Sequence, residues 1–384
     1  MSVTAAGGFE ASGVRAGIRR AAPDVALVRS TGPAVGAAMF TANRVQAAPV
    51  VVSRRAVAAA DPQAVVLNSG IANAATGARG ELDALAMQAR AAELLGLAAD
   101  EVLVLSTGVI GVPLPLARVL DGIERAAEEL SRNGGAAAAD AILTTDTGPK
   151  QAVVQGDGFT VGGMAKGAGM IHPCLATMLA VVTTDYPLPR DEAAGVLREA
   201  VAASFNRISV DGECSTNDTV VLLANGASGC RPDELAFAEA LRAVCSDLAR
   251  QIVADGEGAT VLLEIDVAGA ASDDEAAAIA RRIATSPLVK TAAFGRYPNW
   301  GRVLAAAGSA TWNGGFARLE PERLSVAFNG TAVFAGGAPT AAEPALDDGV
   351  CRIELDLGLG AGHADYLASD LSYEYVRVNA EYRT

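Results

Sequence analysis

The sequence predicts a mixed fold of the α+β class. Short apolar runs of strand length alternate along the chain with longer segments whose apolar residues recur at helical spacing. The glycine-rich segment 167–172 lacks the final glycine of a dinucleotide-binding fingerprint, so a Rossmann domain is not expected. With 384 residues, the chain is too long for one ordinary core. We therefore expect two or three packed lobes.

The N-terminal half is predicted to alternate between strands and helices. Apolar residues at helical spacing indicate a helix over 81–97, which ends near Gly96. The apolar run 178–185 is typical of a buried strand closed by a polar turn. The other elements expected in this half are strands at 25–28, 36–41, 64–67 and 101–105, and helices at 116–130 and 136–143.

Three further helices are predicted in the C-terminal half. Two amphipathic segments, 190–205 and 232–254, have helical spacing, and Pro232 occupies the first turn of the second, where proline is accepted. Ser272 and Glu275 have the spacing of a capping box, which opens the third helix.

The C-terminal region is predicted to be richer in strands. Asn329 and Gly330 form a dipeptide that favours a tight hairpin turn between strands at 324–328 and 331–334. The final residues, 374–384, alternate in a way that predicts a docked terminal strand.

Composition argues against membrane and nucleic-acid partners. The chain is 51% hydrophobic and 19% charged, but it has no apolar run of about 18 residues, so no membrane span is expected. Its 44 acidic and 30 basic residues give a net charge of -14, which repels a phosphate backbone. The first residues lack the apolar core of a signal peptide, so we expect a cytoplasmic protein.

Cysteine and histidine usage argues against a metal site. The five cysteines are scattered and never form a CxxC pair, so neither a disulfide framework nor a zinc site is indicated. Only two histidines are present, which weakens any catalytic triad that depends on histidine. A nucleophilic pair of Cys174 and His172 is a weaker alternative, because Pro173 intervenes.

The segment 170–177 has the pattern of a self-cleavage site. It ends in Ala176 and Thr177, follows a flexible glycine-rich loop and opens an apolar strand. Breaking the bond between Ala176 and Thr177 would free an α-amine on the residue that carries the hydroxyl, and that amine can act as the general base for its own side chain. On these residues alone, a loop-to-strand junction with a capping threonine is equally compatible with the pattern.

Four other residues are candidate site residues. Lys166 precedes two glycines and can supply a positive charge to a carboxylate ligand or lower the pKa of a nearby amine, although a solvated loop lysine fits the same pattern. Thr107 and Gly108 end an apolar strand and provide two donors for an oxyanion hole, or a simple strand-ending turn. Glu257 lies between two glycines, where it can approach a cationic substrate group, whereas 211–218 is interpreted as a polar turn.

Many separated motifs together resemble the ornithine acetyltransferase (glutamate N-acetyltransferase) family of arginine biosynthesis. The combination of KGAGMI at 166–171 with ATML at 176–179 is highly specific. The other matching segments are FTANRVQAAP (40–49), LNSG (67–70), ANA (72–74), STG (106–108), ILTTDT (142–147), SFNR (204–207), STNDT (215–219), DGEG (255–258), PNWGR (298–302) and VNAEYRT (378–384).

The resemblance implies a role for individual positions of this chain. Thr177 corresponds to the nucleophile, exposed by autocleavage after Ala176 into an N-terminal fragment 1–176 and a C-terminal fragment 177–384. Thr107 and Gly108 correspond to the oxyanion hole. The substrate-binding positions implied by the resemblance are Thr144, Lys166, Thr177, Glu257, Asn379 and Thr384.

The resemblance also implies a fold, a reaction and an assembly. The fold is an αββα-type layered structure shared with self-cleaving aminopeptidases, with a smaller C-terminal α/β lobe from about residue 281. The reaction transfers acetyl from N-acetylornithine to glutamate through an acetyl-threonine, with no metal or bound cofactor; acetyl-CoA is an open second donor. Two copies of each fragment are expected to assemble (α₂β₂). Two alternatives are a self-cleaving aminopeptidase or amidohydrolase of the same fold, with water as the acceptor, and a non-enzymatic small-molecule binder that retains the fold.

Overall fold

The computed structural model of the protein describes residues 2–172, 178–346 and 349–381. Its strands are, in chain order, β1 (Phe9–Val14), β2 (Val25–Ser30), β3 (Val35–Phe40), β4 (Ala64–Asn68), β5 (Val102–Ser106), β6 (Lys150–Gln155), β7 (Thr160–Lys166), β8 (Leu179–Thr184), β9 (Ile208–Ser209), β10 (Thr219–Ala224), β11 (Leu262–Ala270), β12 (Thr311–Trp312), β13 (Gly315–Phe316), β14 (Ser325–Phe328), β15 (Thr331–Ala335), β16 (Ala338–Pro339), β17 (Val350–Asp356) and β18 (Gly362–Ser369). Its helices are α1 (Ala48–Ala59), α2 (Gly77–Leu95), α3 (Leu116–Glu128), α4 (Gly135–Ala141), α5 (Arg190–Ala202), α6 (Glu234–Ala254), α7 (Asp273–Ala284), α8 (Pro287–Phe294), α9 (Trp300–Ala307) and α10 (Tyr373–Glu381).

The described residues divide into two compact units. The first comprises residues up to 206 together with 213–252, and the second comprises 207–212 and the residues from 253 onward. The C-terminal lobe was expected from about 281, but the second unit takes in an earlier segment because β11 pairs with both β17 and β18 in one sheet. The predicted division of the chain after Ala176 falls outside the described residues and stays a prediction.

The first unit contains two sheets. One has the order β1-β2-β4-β5, and the other has the order β3-β10-β8-β7-β6. Strands β4 and β5 are parallel, as are β8 and β10, whereas the other neighbours in these two sheets are antiparallel. Parallel neighbours end at the same edge of a sheet, so the residues that follow β4 and β5 lie side by side.

The first unit is layered as helices, sheet, sheet and helices. The two sheets face each other across a core that includes Val65 and Leu103 from one and Val181 from the other. Helices α2 and α3 pack on the outer face of the first sheet. On the outer face of the second, a Cβ at Gly163 in β7 would lie 2.9 Å from Leu248 of α6, and α5 packs against β3. The expected αββα layering and the α+β class are confirmed.

The second unit is built on one mixed sheet of the order β16-β15-β14-β17-β11-β18-β9. Helices α7 and α9 pack Ile279 and Val303 into a core with Ile265 of β11. The predicted hairpin joins β14 and β15, and both Asn329 (φ +48°) and Gly330 (φ +79°) adopt the left-handed conformation that a tight hairpin turn requires.

None of the helices in the described part of the chain is long and apolar enough to cross a membrane.

Two of the predicted helix starts, those of α6 and α7, differ from the observed ones in how side chains cap the helix. Gly96 ends α2 in the left-handed conformation, as expected. Helix α6 begins after Pro232, because the Asp233 carboxylate accepts a hydrogen bond from the N–H of Ala236 and caps the helix instead. The Ser272 hydroxyl caps α7, but Glu275 accepts from the N–H of Arg318, so only half of the capping box forms.

The predicted terminal strand at 374–384 is wrong, because the described part of this segment is helix α10. The hydroxyl of Ser372 accepts from the N–H of Tyr375 at the start of the helix. Arg377 forms ion pairs with Glu374 and Glu381, three and four residues away, a spacing that brings side chains together on a helix and not on a strand. The valines of this segment favour a strand locally, but β-propensity depends on context, and the cap at Ser372 and the packing of Tyr375 against Gly258 accompany the helix here.

Candidate active site

The carboxyl ends of β4 and β5 are tied together by side chains. The hydroxyl of Ser106 donates to Oδ1 of Asn68 at 2.6 Å, and the N–H of Thr107 donates to the Asn68 carbonyl at 3.0 Å. The Asn68 amide in turn donates to the carbonyl of Ile71 at 2.9 Å. The two turns that follow these strands are therefore held in contact.

Thr107 and Gly108 lie in the second of these turns. Gly108 has φ +128°, and a Cβ there would lie 2.2 Å from the carbonyl carbon of Gly70, so only glycine fits. Thr107 is buried. Neither the Thr107 hydroxyl nor the Gly108 N–H has a hydrogen-bond partner among the described residues. Two uncommitted donors at adjacent positions are what an oxyanion hole needs; a simple strand-ending turn would not require them.

Asn217 holds the same turns from the second sheet. It is buried, and its Nδ2 donates to the carbonyls of Ser106 at 2.8 Å and Ala72 at 2.7 Å. Its Oδ1 accepts from the hydroxyl of Thr216 at 2.7 Å. The prediction of a polar turn with backbone-bonding side chains at 211–218 agrees with these bonds, but it did not assign Asn217 the link to the turns after β4 and β5. The available signal was an asparagine two residues before a buried, largely apolar strand, where a buried amide must find partners.

Lys166 is the last residue of β7 and is only 2% exposed. Its Nζ donates to the hydroxyl of Thr144 at 2.6 Å, which brings together two of the predicted substrate-binding positions. The alternative of a solvated loop lysine is therefore wrong. Lys166 precedes the two glycines as described, but it lies at the end of β7, which carries it into the interior.

Asp146 lies at the centre of this group, with a fully buried side chain. It accepts from Nζ of Lys150 at 2.7 Å and from the N–H groups of Gly167 and Thr144 at 2.7 and 3.0 Å. Burial by itself raises the pKa of Asp146. The charges of Lys166 and Lys150, with the hydrogen bonds from Lys150 and the Thr144 backbone, outweigh burial and hold the pKa well below its usual range.

Arg19 lies between the Gly70 turn and Thr144. A Cβ at Gly70 would lie 2.9 Å from Cγ of Arg19, and Nη2 of Arg19 is 3.5 Å from the Thr144 carbonyl. The buried Asp24 carboxylate fixes this arginine by accepting from four consecutive N–H groups, those of residues 16–19. The oxyanion candidates and the Lys166 group are thus neighbours within the first unit.

Asp218 anchors the residue that follows the predicted nucleophile. Its Oδ1 accepts from the N–H of Met178 at 3.1 Å, and its buried Oδ2 has no hydrogen-bond partner among the described residues. Burial raises the pKa of Asp218 well above its usual range, which favours the neutral carboxylic acid. Ala176, Thr177 and Cys174 lie outside the described residues, so the cleavage site and the nucleophile stay predictions.

In the second unit, Glu257 and Asn379 are brought together. Nδ2 of Asn379 donates to Oε2 of Glu257 at 2.9 Å. The hydroxyl of Ser372 donates to the carbonyl of Gly258 at 2.6 Å, and a Cβ at Gly258 (φ +66°) would lie 2.3 Å from the backbone nitrogen of Tyr375. Helix α10 therefore packs directly on the glycine that follows Glu257. Thr384 lies outside the described residues.

Comparisons with known proteins give one consistent result. The model of the ArgJ family matches residues 10–384 of the chain. The arginine biosynthesis bifunctional protein ArgJ of Thermobifida fusca is 48% identical over 388 residues, with 100% of both chains covered. The protein of the same name from Streptomyces coelicolor is 48% identical over 386 residues, again with 100% of both covered.

One solved structure is also similar to this chain in sequence. The ornithine acetyltransferase of Mycobacterium tuberculosis, in complex with ornithine, is 41% identical, covers 45% of this chain and 94% of its own, and has a TM-score of 0.41. The family match spans nearly the whole chain and the relatives match it from end to end, in agreement with the resemblance drawn from the motifs. The chain therefore belongs to the ArgJ family.

Proposed function

We propose that this chain transfers the acetyl group of N2-acetyl-L-ornithine to L-glutamate, giving ornithine and N-acetylglutamate. The observation that carries the proposal is the end-to-end match to arginine biosynthesis bifunctional proteins. The uncommitted donors at Thr107 and Gly108 and the buried Lys166–Thr144 pair supply the groups that such an acyl transfer needs.

Thr177 is the proposed nucleophile after cleavage of the bond to Ala176. Free α-amines have pKa values of about 7.7–8.0 in general, so part of such an amine is neutral near pH 7 and can act as the base. The amine takes the hydroxyl proton while the oxygen attacks the acetyl carbonyl of the donor. The Thr107 hydroxyl and the Gly108 N–H donate to the oxyanion that forms.

The tetrahedral species then collapses in the forward direction. The bond from the acetyl carbon to the α-nitrogen of ornithine breaks, and the ammonium of Thr177 returns its proton to that nitrogen. The neutral amine of glutamate next attacks the acetyl-threonine ester and gives up a proton to the Thr177 α-amine. The ester C–O bond then breaks, and the Thr177 ammonium passes that proton to the leaving hydroxyl oxygen. This exchange is a ping-pong reaction, and we propose that it uses no metal and no bound cofactor.

The remaining groups orient the two amino-acid substrates. Lys166 and Thr144 are proposed to bind a substrate carboxylate, since one is cationic and both are hydrogen-bond donors. Glu257 is proposed to bind the cationic side chain of ornithine through its half-buried carboxylate. Asn379, which donates to that carboxylate, and Thr384 are proposed to bind the amino-acid end of the substrate, as the family resemblance implies.

Two further features belong to the proposal. The fragments produced by cleavage are proposed to assemble as two copies of each. Acetyl-CoA is proposed as a second acetyl donor for glutamate, and the word "bifunctional" in the names of the relatives is what supports it.

A product assay distinguishes this function from the alternative. The purified protein is incubated with N-acetylornithine and glutamate, and the products are identified by mass spectrometry. Ornithine with N-acetylglutamate is the expected result. Ornithine with acetate would instead indicate a hydrolase in which water accepts the acetyl group, and the absence of any product would overturn the proposal. Replacing N-acetylornithine by acetyl-CoA in the same assay tests the second donor.

A further inference from the structure

Lys290, in helix α8 of the second unit, is a lysine that is only 4% exposed. Its Nζ donates to the carbonyl and to the hydroxyl of Ser369, the last residue of β18. Burial lowers the pKa of Lys290 to about 8, against the charges of Asp370 and Asp211, which raise it, so the ammonium form dominates near pH 7. Keeping an ammonium group out of water costs free energy unless its hydrogen bonds compensate, so the bonds to Ser369 are specific ones.

Lys290 contacts the segment that joins β18 to α10 at two points. We call this segment, residues 369–372, the connector. While Nζ of Lys290 donates to Ser369, the backbone carbonyl of Lys290 accepts from the N–H of Leu371 at 3.4 Å. One residue of α8 therefore holds the connector on either side of Asp370.

The connector is also bonded to the segment that follows Glu257. The Asp370 carboxylate accepts from the N–H of Thr260 at 2.8 Å and from the hydroxyl of the same residue at 2.5 Å. The hydroxyl of Ser372 donates to the carbonyl of Gly258 at 2.6 Å. These bonds fix the start of α10 relative to the loop that carries Glu257.

Helix α10 depends on such contacts for its position. No residue of this helix, over its described range Tyr373–Glu381, is fully buried. A helix that buries no side chain gains little from the hydrophobic effect, so the hydrogen bonds at its start have a large share in placing it. Asn379, which donates to Glu257 at 2.9 Å, lies about two turns beyond the connector. A shift of the connector would therefore move Asn379.

The sequence motif 298–302, which has no part in the proposed reaction, supports the helix that carries Lys290. Nη1 of Arg302 donates to the carbonyl of Leu288 in α8 at 2.8 Å. The side chain of Asn299 accepts from the N–H of Arg302 at 3.1 Å and caps α9. The motif thus joins α9 to α8, and α8 in turn holds the connector.

We propose that Lys290 is a positioning residue that holds the connector in place and so keeps Asn379 bonded to the Glu257 carboxylate. The carboxylate is then oriented toward the terminal ammonium group of the acetyl donor. The inference rests on the proposed function, because it assumes that Glu257 binds this ammonium group.

The test compares two donors, with glutamate as the acceptor. N2-acetyl-L-ornithine carries the terminal ammonium, and N2-acetyl-L-norvaline has the same carbon chain without it. The ratio of the two kcat/KM values measures the preference for the ammonium group, and it does not depend on the fraction of active protein. The variants are Lys290→Met, Asn379→Ala and the double variant Lys290→Met/Asn379→Ala. Lys290→Gln, which also removes the charge, is the second variant if Lys290→Met does not fold.

Lys290→Met should lower the ammonium preference about fivefold, within the range by which residues remote from a ligand alter its binding. Asn379→Ala should lower it as well. The double variant should stay within about twofold of Asn379→Ala, because two residues that act through one contact do not have additive effects. A preference that Lys290→Met or Asn379→Ala leaves unchanged, or losses that multiply in the double variant, would overturn the inference.

Two controls separate this inference from general destabilisation and from the proposed function. Val326→Ala removes buried methyl groups from the core of the same unit, on β14, which β17 and β11 separate from β18 in the sheet. It should lower thermal stability and leave the ammonium preference unchanged. Glu257→Gln should abolish the preference. If Glu257→Gln keeps it, the proposed substrate site is wrong; if Glu257→Gln loses it and Lys290→Met keeps it, the positioning inference alone is wrong.

Discussion

Asn217 donates from its side-chain amide to the carbonyl oxygen of Ser106 at 2.8 Å. Ser106 ends β5 in the first sheet, and Asn217 lies just before β10 in the second, so this bond joins the two layers at the residue that precedes Thr107. The backbone that carries the proposed oxyanion donors is therefore held in place by both sheets. A rigid frame of this kind lets donors stabilise a developing charge without reorganising.

Thr177→Ala should abolish autocleavage and acetyl transfer together, because one hydroxyl is proposed to perform both reactions. Electrophoresis should then detect a single chain of 38.8 kDa instead of two fragments. Thr177→Ser retains a hydroxyl and should retain some cleavage. A cleaved and active alanine variant would refute the proposed nucleophile.

Thr107→Ala should fold normally and lower kcat by about 10²–10³, with a smaller effect on KM, since one oxyanion donor is lost. Thr107→Ser keeps the hydroxyl and serves as the control in steady-state kinetics. A kcat/KM within about threefold of wild type, well under 1 kcal/mol, would show that Thr107 is not such a donor.

Gly108→Ala should disturb the site by steric contact, because the new Cβ would lie 2.2 Å from the carbonyl carbon of Gly70. Gly111→Ala is the matched control: Gly111 also has positive φ, at +80°, but a Cβ there meets no atom within 4 Å. Both variants carry the strain of a left-handed residue, of order 1–3 kcal/mol. Only Gly108→Ala should also lose kcat; equal losses in the two variants would contradict the close packing of the turns.

Asn217→Ala should lower kcat more than it changes KM, because the carbonyls of Ser106 and Ala72 lose their shared donor. An unsatisfied buried polar group costs about 1–3 kcal/mol, so thermal stability should fall as well. Asn225→Ala, at the opposite end of β10, removes comparable bonds to Gly7 and Gly8 at 3.1 Å. Asn225→Ala should lower stability while kcat per folded enzyme stays unchanged. If Asn225→Ala lowers kcat as much as Asn217→Ala does, the role of Asn217 is merely structural.

Deleting residues 380–384 should raise KM for N-acetylornithine and glutamate while autocleavage stays intact. The deletion removes the end of α10, the helix whose Asn379 donates to Glu257, together with Thr384. Arg377→Ala removes only exposed ion pairs of the same helix and should have little effect, since such pairs contribute little. Unchanged KM values for both substrates in the truncated protein would mean that the tail is only structural.

Local sequence patterns determined much of the secondary structure of this protein. The Asn329-Gly330 turn, the buried strand β8 and the glycine that ends α2 were all predictable, because each depends on the conformational preference of a few neighbouring residues. Helix α10 was not predictable in this way. Its valines favour a strand, whereas the segment forms a helix that is capped by Ser372 and packs on Gly258 of a distant loop.

The identity of the candidate site residues was also available from sequence, through the motifs around Thr107, Lys166 and Thr177. What those residues contact was decided only by the tertiary structure. Lys166 meets Thr144 from 22 positions away, Asn217 meets Ser106 from 111, and Asn379 meets Glu257 from 122. The physical reason is that hydrophobic periodicity and turn preferences act over a few residues. Burial, and therefore charge balance and hydrogen-bond partnership, depends on which distant strands and helices pack around each side chain.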